Sequence, residues 1–398
     1  MVRAFEGAVP EFDLADAARA AEFYAEWWFV VVRALTDAQC AELIREQWNQ
    51  VILKQPWSDP IKVFGPGGKL LRPDDPGFLE VVTAPLSVKQ RREFSDKWTF
   101  HRGFGACCDD AVFHLPGVCA IREDPNLYAL AARVMGNQEL WVGINRSIQK
   151  LPGEGEDEFI HVDANPLFPD RERASQMCGK VLYTPARVVL VPGTHTDAFR
   201  AEFKSKYEKH YPAISAKAAK FAIGRDKPDP LGIVEKAAQI PIRAGCAVFW
   251  HEWLFHGMAK TPLNEPTEYG TYLGYFESGS RAGYVGKCGV VEREDRVASY
   301  TLGRAPRLWP SLDRIHFVPY RFTNFPKILE GYVRKMPPGH PSIVRGARVT
   351  LKPWPVDGYA PATLSPLGQK LLGISSEEYA EAHGRKRKRA GSAVIVID

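Results

Sequence analysis

The sequence predicts a mainly β protein with flanking helices, an α+β arrangement. Segments 187–193, 246–250 and 269–276 combine β-branched or aromatic residues with a Pro or Gly boundary, which is typical of short strands. Segment 140–151 alternates apolar and polar residues, as a strand with two different faces does. Segments with helical periodicity lie before and between these strands, so we expect helices packed around the sheets.

Two helices and a strand are predicted near the N-terminus. Residues 13–27 are rich in alanine and begin with an aspartate, which favours a helix. Residues 36–52 have apolar side chains at helical spacing behind Thr36, a residue type that often caps helices. Between them, 28–32 read WFVVV, and aromatic and β-branched residues favour a strand.

The remaining segments are less uniform. Residues 55–105 are rich in Pro, Gly and aromatics and are expected to form loops with short strands. Residues 126–136 predict a helix that ends at Gly136. Residues 197–222 predict a helical insertion with lysines on its solvated face, whereas 290–380 have few periodic segments and many prolines.

One face of the predicted strand at 140–151 carries Asn145, Ser147 and Gln149, and the other carries apolar residues. Side chains alternate between the two faces of a strand, so these three share one side. A polar but uncharged face suits the interior of a barrel that holds a hydrated pocket. A hydrogen-bond network inside the barrel is the structural alternative.

Composition indicates a folded protein that does not cross a membrane. Of 398 residues, 45% are apolar and 25% charged, and no run of 18 apolar residues occurs. The N-terminus has acidic residues where a signal peptide needs an apolar region, so we expect an intracellular protein, cytoplasmic or nuclear. Seven cysteines without CxxC spacing favour free thiols over disulfides or a zinc site.

The last residues of the sequence are strongly basic. The formal charge is +5, and the run Arg385–Arg389 supplies five positive charges, so the rest of the chain is near neutral. A near-neutral body argues against broad nucleic-acid binding. The run fits a signal for a nuclear import receptor or a nucleic-acid patch. The terminal 394–398, VIVID, could add a strand to a partner or to the protein's own sheet.

A metal site is indicated by the motif His161-Val162-Asp163. Alternate residues of a strand point to the same face, so His161 and Asp163 can reach one ion. A second histidine is needed, and segment 248–262 offers His251 and His256. Two histidines and one carboxylate form the facial triad of non-haem Fe(II) oxygenases. An isolated HxD motif is more often structural, so the surrounding sequence decides.

That surrounding sequence resembles the phytanoyl-CoA dioxygenase-like branch of the Fe(II)/2-oxoglutarate-dependent oxygenases. The opening FYAEWWFVVVRALTDAQCAEL is similar to the family's helix, strand and helix. SIQKLPGEGEDEFIHVDANP is similar to its strand, loop and HxD motif, and RVVLVPGTHTDAF to its VVPGSH segment. IPIRAGCAVFWHEWLFHG looks like the segment that carries the last histidine. These motifs cover roughly residues 20–280 in the family's order.

The resemblance implies a double-stranded β-helix (jelly-roll or cupin-like) core that binds Fe(II), 2-oxoglutarate and O₂. It implies His161, Asp163 and His256 as metal ligands and catalytic residues, with His251 beside the site or in the core. Retention of Asp163 implies hydroxylation, because related halogenases lack the carboxylate. It also places Asn145, Ser147 and Gln149 near the cosubstrate.

The sequence departs from the family at the cosubstrate. The family anchors the far carboxylate of 2-oxoglutarate with an arginine after the last histidine, but Thr267 stands at that position. Another cation could take its place, or the cosubstrate could differ, or activity could be lost. The candidate cations are Lys260, Arg281, Arg146 and Lys150. We predict Lys260, Thr267 and Arg281 among the cosubstrate residues.

Two functions therefore follow from the sequence. The first is an Fe(II)-dependent dioxygenase, coupled to 2-oxoglutarate, whose substrate (small molecule, nucleic acid or protein) the sequence does not determine. The second is a catalytically inactive β-helix protein acting as a structural or nuclear interaction module. In both, a double-stranded β-helix domain with N-terminal helices spans 1–289 and has a helical insertion at about 197–240. An irregular extension packed on the core (290–380) and a basic tail expected to be disordered (381–398) follow it.

Overall fold

Helices surround two β-sheets in the computed structural model of the protein. The structure describes residues 8–49, 62–87, 106–107, 113–145, 147–153, 160–163, 166–167, 176–211, 221–223, 228–278, 293–303 and 360–384. The described helices are α1 (Ala17–Trp27), α2 (Asp37–Gln47), α3 (Phe78–Thr83), α4 (Pro116–Arg122), α5 (Pro125–Met135), α6 (Asp197–Tyr207), α7 (Arg293–Leu302), α8 (Pro366–Leu372) and α9 (Ser376–Gly384).

The described strands are β1 (Glu11–Asp13), β2 (Phe29–Arg33), β3 (Val63–Phe64), β4 (Leu70–Leu71), β5 (Ala106–Cys107), β6 (Leu140–Val142), β7 (Ser147–Lys150), β8 (Ile160–Val162), β9 (Gln176–Leu182), β10 (Ala186–Leu190), β11 (Phe221–Ala222), β12 (Ala238–Ile242), β13 (Cys246–His251), β14 (His256–Met258) and β15 (Glu268–Glu277). The large sheet has the order β1-β2-β13-β9-β15-β7-β5, with β6 beside β15. The small sheet has the order β11-β8-β14-β10-β12, and β3 pairs with β4.

Apart from the parallel pair β1–β2, the strand pairs of both sheets are antiparallel. The protein thus has the strands and flanking helices that the sequence predicts. Strand β13 shows how the sequence builds them. Cys246, Val248 and Trp250 face one side of the large sheet, and Ala247 and Phe249 face the other. Both sides are apolar, so this strand is buried on both faces.

An apolar layer lies between the two sheets. Its members come from both sheets, and we call this set the inter-sheet layer: Phe29, Val31, Ile148, Cys178, Leu182, Ala186, Val188, Leu190, Ile240, Ile242, Cys246, Val248, Trp250 and Leu254. A second core lies between the large sheet and helices that include α1, α2 and α5. A third covers the outer face of the small sheet, where Phe199, Phe203 and Tyr207 of α6 pack on Val162 and Phe221.

The helix ends follow from local side chains. Thr36 caps α2 in a reciprocal capping box: its Oγ1 accepts from the Gln39 N–H at 3.3 Å, and the Thr36 N–H donates to Gln39 Oε1 at 2.8 Å. Gly136 ends α5 at φ 63°, a left-handed conformation that glycine adopts without strain. The predicted N-cap and the predicted helix end are both confirmed.

The sequence predicts a helical insertion over 197–222, and this prediction is wrong at the end of the segment. Helix α6 ends at Tyr207, and Phe221–Ala222 form β11, paired with β8 so that Phe221 lies opposite Val162 and Ala222 opposite His161. The Phe221 ring packs against Phe203 at 5.0 Å. Tertiary packing and strand pairing therefore decide the conformation here over helical propensity.

The described residues of the C-terminal part mostly form helices, although its many prolines predict an irregular extension. Helices α7 and α8 lie within 290–380, and α9 extends to Gly384, inside the segment predicted as a tail. Arg296 of α7 is buried and donates to the carbonyl oxygens of Leu371, Leu372 and Val142 at 2.6–3.0 Å. These bonds tie the extension to the large sheet. None of the described helices has the length and apolar character required to cross a bilayer.

Candidate metal centre

Two adjacent strands of the small sheet bring two histidines together. Strands β8 and β14 are antiparallel, and His161 lies directly opposite His256 in their register. The centroids of the two imidazole rings are 4.3 Å apart. Val162, between the first histidine and the aspartate, belongs to the outer core of the small sheet. His161 and Asp163 therefore point to the opposite face, as the spacing of the motif predicts.

Asp163 follows β8 and completes a three-residue cluster. Its Oδ1 is 3.9 Å from His161 Nε2, and its Oδ2 is 3.5 Å from His256 Nε2. One donor atom from each residue lies within 4.8 Å of the others. Metal bonds to nitrogen and oxygen donors are roughly 2.0–2.2 Å long, so two ligands of one ion are separated by roughly 3 Å or slightly more. A small contraction of the cluster would suffice to hold a metal.

The His256 ring has a defined orientation. Its Nδ1 lies 2.9 Å from the carbonyl oxygen of Leu254. A carbonyl oxygen only accepts hydrogen bonds, so Nδ1 carries the proton and Nε2 offers its lone pair toward Asp163. Metal-binding histidines are commonly fixed in this way. The preceding residue is also held, because the Phe255 N–H donates to Thr194 Oγ1 at 3.0 Å.

The cluster is largely buried. Asp163 and His256 are buried, whereas His161 is half-buried. The ring of Trp250, a member of the inter-sheet layer, lies 4.8 Å from the His256 ring. The cluster therefore faces the space between the sheets, with its more accessible side at His161.

His251 has a different environment from His256. Its ring packs on Trp28 at 3.7 Å, and its Nδ1 accepts a hydrogen bond from the Trp253 N–H at 3.1 Å. Burial, the Arg200 guanidinium and His195 lower the pKa of His251 to about 3. His195 stacks on the same Trp28 ring at 4.8 Å. Both histidines thus belong to an aromatic group around Trp28, while His256 lies with the HxD motif.

The predicted polar strand face meets a helix. Gln149 Nε2 donates to Gln47 Oε1 of α2 at 3.4 Å, and Gln47 Nε2 donates to the Gly270 carbonyl oxygen at 3.2 Å. Ser147 lies on the same face as Gln149 by strand periodicity, whereas Ile148 belongs to the inter-sheet layer. Alternation thus groups these residues correctly, but their face looks toward the helices and away from the metal cluster.

The other predicted cosubstrate residues are dispersed. Asn145 lies between β6 and β7, where its carbonyl oxygen accepts from Arg122 Nη2 at 3.0 Å. Thr267 is buried, and its carbonyl oxygen accepts from Thr184 Oγ1 at 2.9 Å. Lys260 is exposed. Arg281 and Arg146 lie outside the described residues.

A buried group of three charges was not predicted. Lys150 Nζ lies 2.6 Å from Glu268 Oε2, and Lys180 Nζ lies 2.9 Å from Glu268 Oε1. Lys150 is among the predicted cations, but Lys180 and Glu268 are not. The sequence signal for each is a charged residue in an otherwise largely apolar strand. Lys180 lies within QMCGKVL, and Glu268 begins EYGTYLGYFE. We call these three residues the charge cluster.

The comparisons with known proteins give remote structural likenesses alone. No family model matches the sequence, and no curated protein matches it. The epimerase SnoN, solved with Fe³⁺, alpha ketoglutarate and nogalamycin RO, has 17% identity and a TM-score of 0.36 over 66% of this chain and 84% of its own. EvdO2 from Micromonospora carbonacea var. aurantiaca, complexed with 2-oxoglutarate, has 14% identity and a TM-score of 0.36 over 70% and 94%.

EctD from S. alaskensis, solved with 2-oxoglutarate and 5-hydroxyectoine, is a third similar structure. It has 14% identity and a TM-score of 0.39 over 71% of this chain and 88% of its own. All three TM-scores lie below 0.5, so the candidate metal centre is defined by this chain's own geometry.

Proposed function

We propose that the protein is an Fe(II)-dependent dioxygenase that couples 2-oxoglutarate and O₂ to the hydroxylation of a substrate. The observation that carries the proposal is the cluster of His161, Asp163 and His256, whose donor atoms lie within 4.8 Å of one another. Two imidazoles and one carboxylate on one side of an ion leave coordination positions open for reactants, which is the arrangement of non-haem Fe(II) oxygenases.

The residues present fit an iron ion. The carboxylate offsets part of the charge of a divalent cation, and His256 supplies a neutral imidazole whose protonated nitrogen is bonded to the Leu254 carbonyl oxygen. Both histidines direct Nε2 toward Asp163, at 3.9 and 3.5 Å. Two of the ligands lie in paired strands and Asp163 directly follows one of them, so the backbone hydrogen bonds of the small sheet hold the spacing of the histidines.

When bound, the iron and the 2-oxo acid supply the activation of O₂ that hydroxylation requires. The protein's own residues hold the ion, orient its ligands and limit water. Trp250 and the inter-sheet layer form an apolar wall next to His256. An apolar wall of this kind strengthens the electrostatic interactions at the ion and protects reactive species from water.

We further propose that the two sheets form a double-stranded β-helix of the phytanoyl-CoA dioxygenase-like branch, within a domain spanning 1–289. Two mainly antiparallel sheets with a shared apolar layer support this arrangement. The position of the HxD motif at the end of β8, with the last histidine beginning the neighbouring β14, supports it as well.

The test of the proposed function is the formation of succinate. Purified protein given Fe(II), 2-oxoglutarate and O₂ is expected to release succinate, slowly without substrate. Asp163→Ala is the matched inactive variant, because it removes one metal ligand and little volume. Absence of succinate from the wild type, in the presence of bound metal and of extracts that could supply a substrate, would favour the inactive interaction module instead.

The charge distribution of the sequence bears on the substrate and on a partner of the tail. The near-neutral body argues for a substrate other than bulk nucleic acid. We propose that Arg385–Arg389, which lie outside the described residues, bind a nuclear import receptor. A fluorescent fusion is expected to enter nuclei and to lose that localisation when these five residues are replaced by glutamine.

A further inference from the structure

The charge cluster is unusual because it lies in the protein interior. Lys150, Lys180 and Glu268 are 1%, 3% and 2% exposed. Lys150 Nζ also donates to the carbonyl oxygen of Ala259 at 2.8 Å. Charged side chains lose hydration when buried, and this loss has to be offset by partners. A buried group of this kind therefore calls for an explanation beyond packing.

The charges within the cluster do not balance. Burial alone would raise the pKa of Glu268, but Lys150 and Lys180 lower it to about 2, so the carboxylate is ionised at neutral pH. With both lysines as ammonium ions, the cluster has two positive charges and one negative charge. Lys180 Nζ can donate three hydrogen bonds, and among the described residues Glu268 accepts one of them. One further anion would balance the cluster.

The cluster and the metal centre face the same space. Lys150 lies on the same face of β7 as Ile148, and Lys180 on the same face of β9 as Cys178 and Leu182. All three apolar residues belong to the inter-sheet layer. Lys180 and the metal centre therefore lie on the same side of the large sheet. Side chains of the inter-sheet layer lie between them, and no described strand does.

Strand registers indicate how close the two groups are. Cys178 pairs with Trp250, whose ring contacts His256. Lys180 lies two residues further along β9, so it is about 7 Å from Cys178 along the strand. Just after β14 of the small sheet, Ala259, whose carbonyl oxygen accepts from Lys150, is three residues beyond His256, about 10 Å along an extended chain. This separation suits a short, extended organic diacid with one end at the metal.

We infer that Lys180, held beside Lys150 by Glu268, binds the far carboxylate of the 2-oxo diacid whose other end reaches the metal. The inference rests on the proposed function and names the cation that replaces the absent arginine at Thr267. Lys180 is the residue that contacts the ligand, and Glu268 is a positioning residue.

The side chain of Lys180 has to change its conformation to contact this ligand. The cavity beside the cluster, whose lining includes Lys150, Ala259 and Glu268, has a volume of about 10 Å³, enough for about one water molecule. The carboxylate therefore does not enter the cluster itself. The flexible stem of Lys180 swings toward the metal, and its ammonium group exchanges part of its contact with Glu268 for the ligand.

The experiment compares two ligands on two proteins. Anaerobic, metal-loaded protein is titrated by calorimetry with 2-oxoglutarate and with 2-oxopentanoate, which has a methyl group in place of the far carboxylate. A hydrogen bond to a charged group contributes roughly 1.5–3 kcal/mol, so the wild type is expected to prefer 2-oxoglutarate by roughly 10- to 100-fold. In Lys180→Met the preference is expected to fall to about threefold or less.

The variant is expected to fold. Methionine keeps most of the lysine stem, and the remaining Lys150–Glu268 pair is neutral overall. Lys180→Arg retains the cation and is expected to retain most of the preference. Lys260→Met is the matched control, because it removes an exposed lysine that is also a candidate anchor.

The outcomes separate the inference from the proposed function. A wild type that prefers 2-oxoglutarate while Lys180→Met keeps the same preference would overturn the inference alone, as would loss of the preference in Lys260→Met. A metal-loaded wild type that binds neither acid, or both equally, would overturn the inference and the choice of 2-oxoglutarate. A protein that binds no metal would overturn the proposed function itself.

Discussion

The two histidines of segment 248–262 differ in their neighbours and not in their residue type. His256 lies opposite His161 and 3.5 Å from Asp163, whereas His251 packs on Trp28 and accepts a backbone hydrogen bond. A nitrogen that accepts a backbone N–H bond is less available to a metal. The environment of each ring therefore favours His256 as the metal ligand.

Loss of either histidine is therefore expected to affect metal binding differently. His256→Asn is expected to weaken Co(II) binding by at least about 100-fold, because a metal ligand is lost. His251→Asn is the matched variant five positions earlier, and its affinity for Co(II) is expected to stay within about threefold of the wild type. Visible absorption of Co(II) measures both, and comparable loss in the two variants would contradict the assignment.

The sequence predicts the residues of the metal centre better than those around it. The two-residue spacing places His161 and Asp163 on one face of a strand, and local spacing is a property that a sequence displays. The charge cluster joins three strands, β7, β9 and β15, through contacts between residues far apart in sequence. The same limit explains Gln149: alternation groups it with Ser147 but does not say that their face meets Gln47.

At the scale of elements, the centre of the large sheet requires a residue without a side chain. Gly179 lies in β9 opposite Phe249 of β13. A Cβ at Gly179 would meet the Phe249 ring at 2.4 Å and the Val248 carbonyl oxygen at 2.7 Å. Contacts this short cannot be relieved by a side chain alone, so the strand would have to move.

Gly179→Ala is therefore expected to lower the free energy of unfolding by about 2 kcal/mol, the usual scale of overpacking. Gly143→Ala is the control, because its Cβ would lie 3.6 Å from the Gly274 carbonyl oxygen, an ordinary contact. It is expected to change stability by less than about 0.5 kcal/mol. Urea unfolding measures both, and equal effects would refute the packing argument.

Elements with strong local signals are predicted well. The Thr36 capping box and Gly136 fix the ends of α2 and α5 through neighbouring residues. Strand β11 is different, because Phe221 and Ala222 follow a lysine-rich, helix-like segment and are held as a strand by β8. Pairing with a distant strand leaves no local pattern, so its prediction needs the fold.

At the scale of the whole molecule, an apolar layer with buried charges joins the two sheets. The charge cluster is part of this joint, so its ionisation affects global stability. The pKa of Glu268 is about 2 in the folded protein, against an ordinary value of 4.5. A lowered carboxyl pKa stabilises the fold above pH 4.5, and this contribution is lost as the pH falls toward 2.

The shift corresponds to about 3 kcal/mol, of which roughly 2 kcal/mol is lost by pH 3. The wild type is therefore expected to be more stable than Glu268→Gln at pH 6, and this difference is expected to shrink by roughly 2 kcal/mol at pH 3. Urea unfolding at the two pH values measures it. Glu42→Gln, at an exposed carboxylate, controls for general acid effects, and a constant difference for Glu268→Gln would contradict the account.

His161, Asp163 and His256 are expected to form one iron site. Anaerobic calorimetric titration of metal-free protein with Fe(II) tests it most directly. The wild type is expected to bind one Fe(II) per chain, and Asp163→Ala is expected to show no specific binding at the same concentrations. A wild type that binds no Fe(II), or an Asp163→Ala variant that binds one equivalent with unchanged affinity, would contradict the claim.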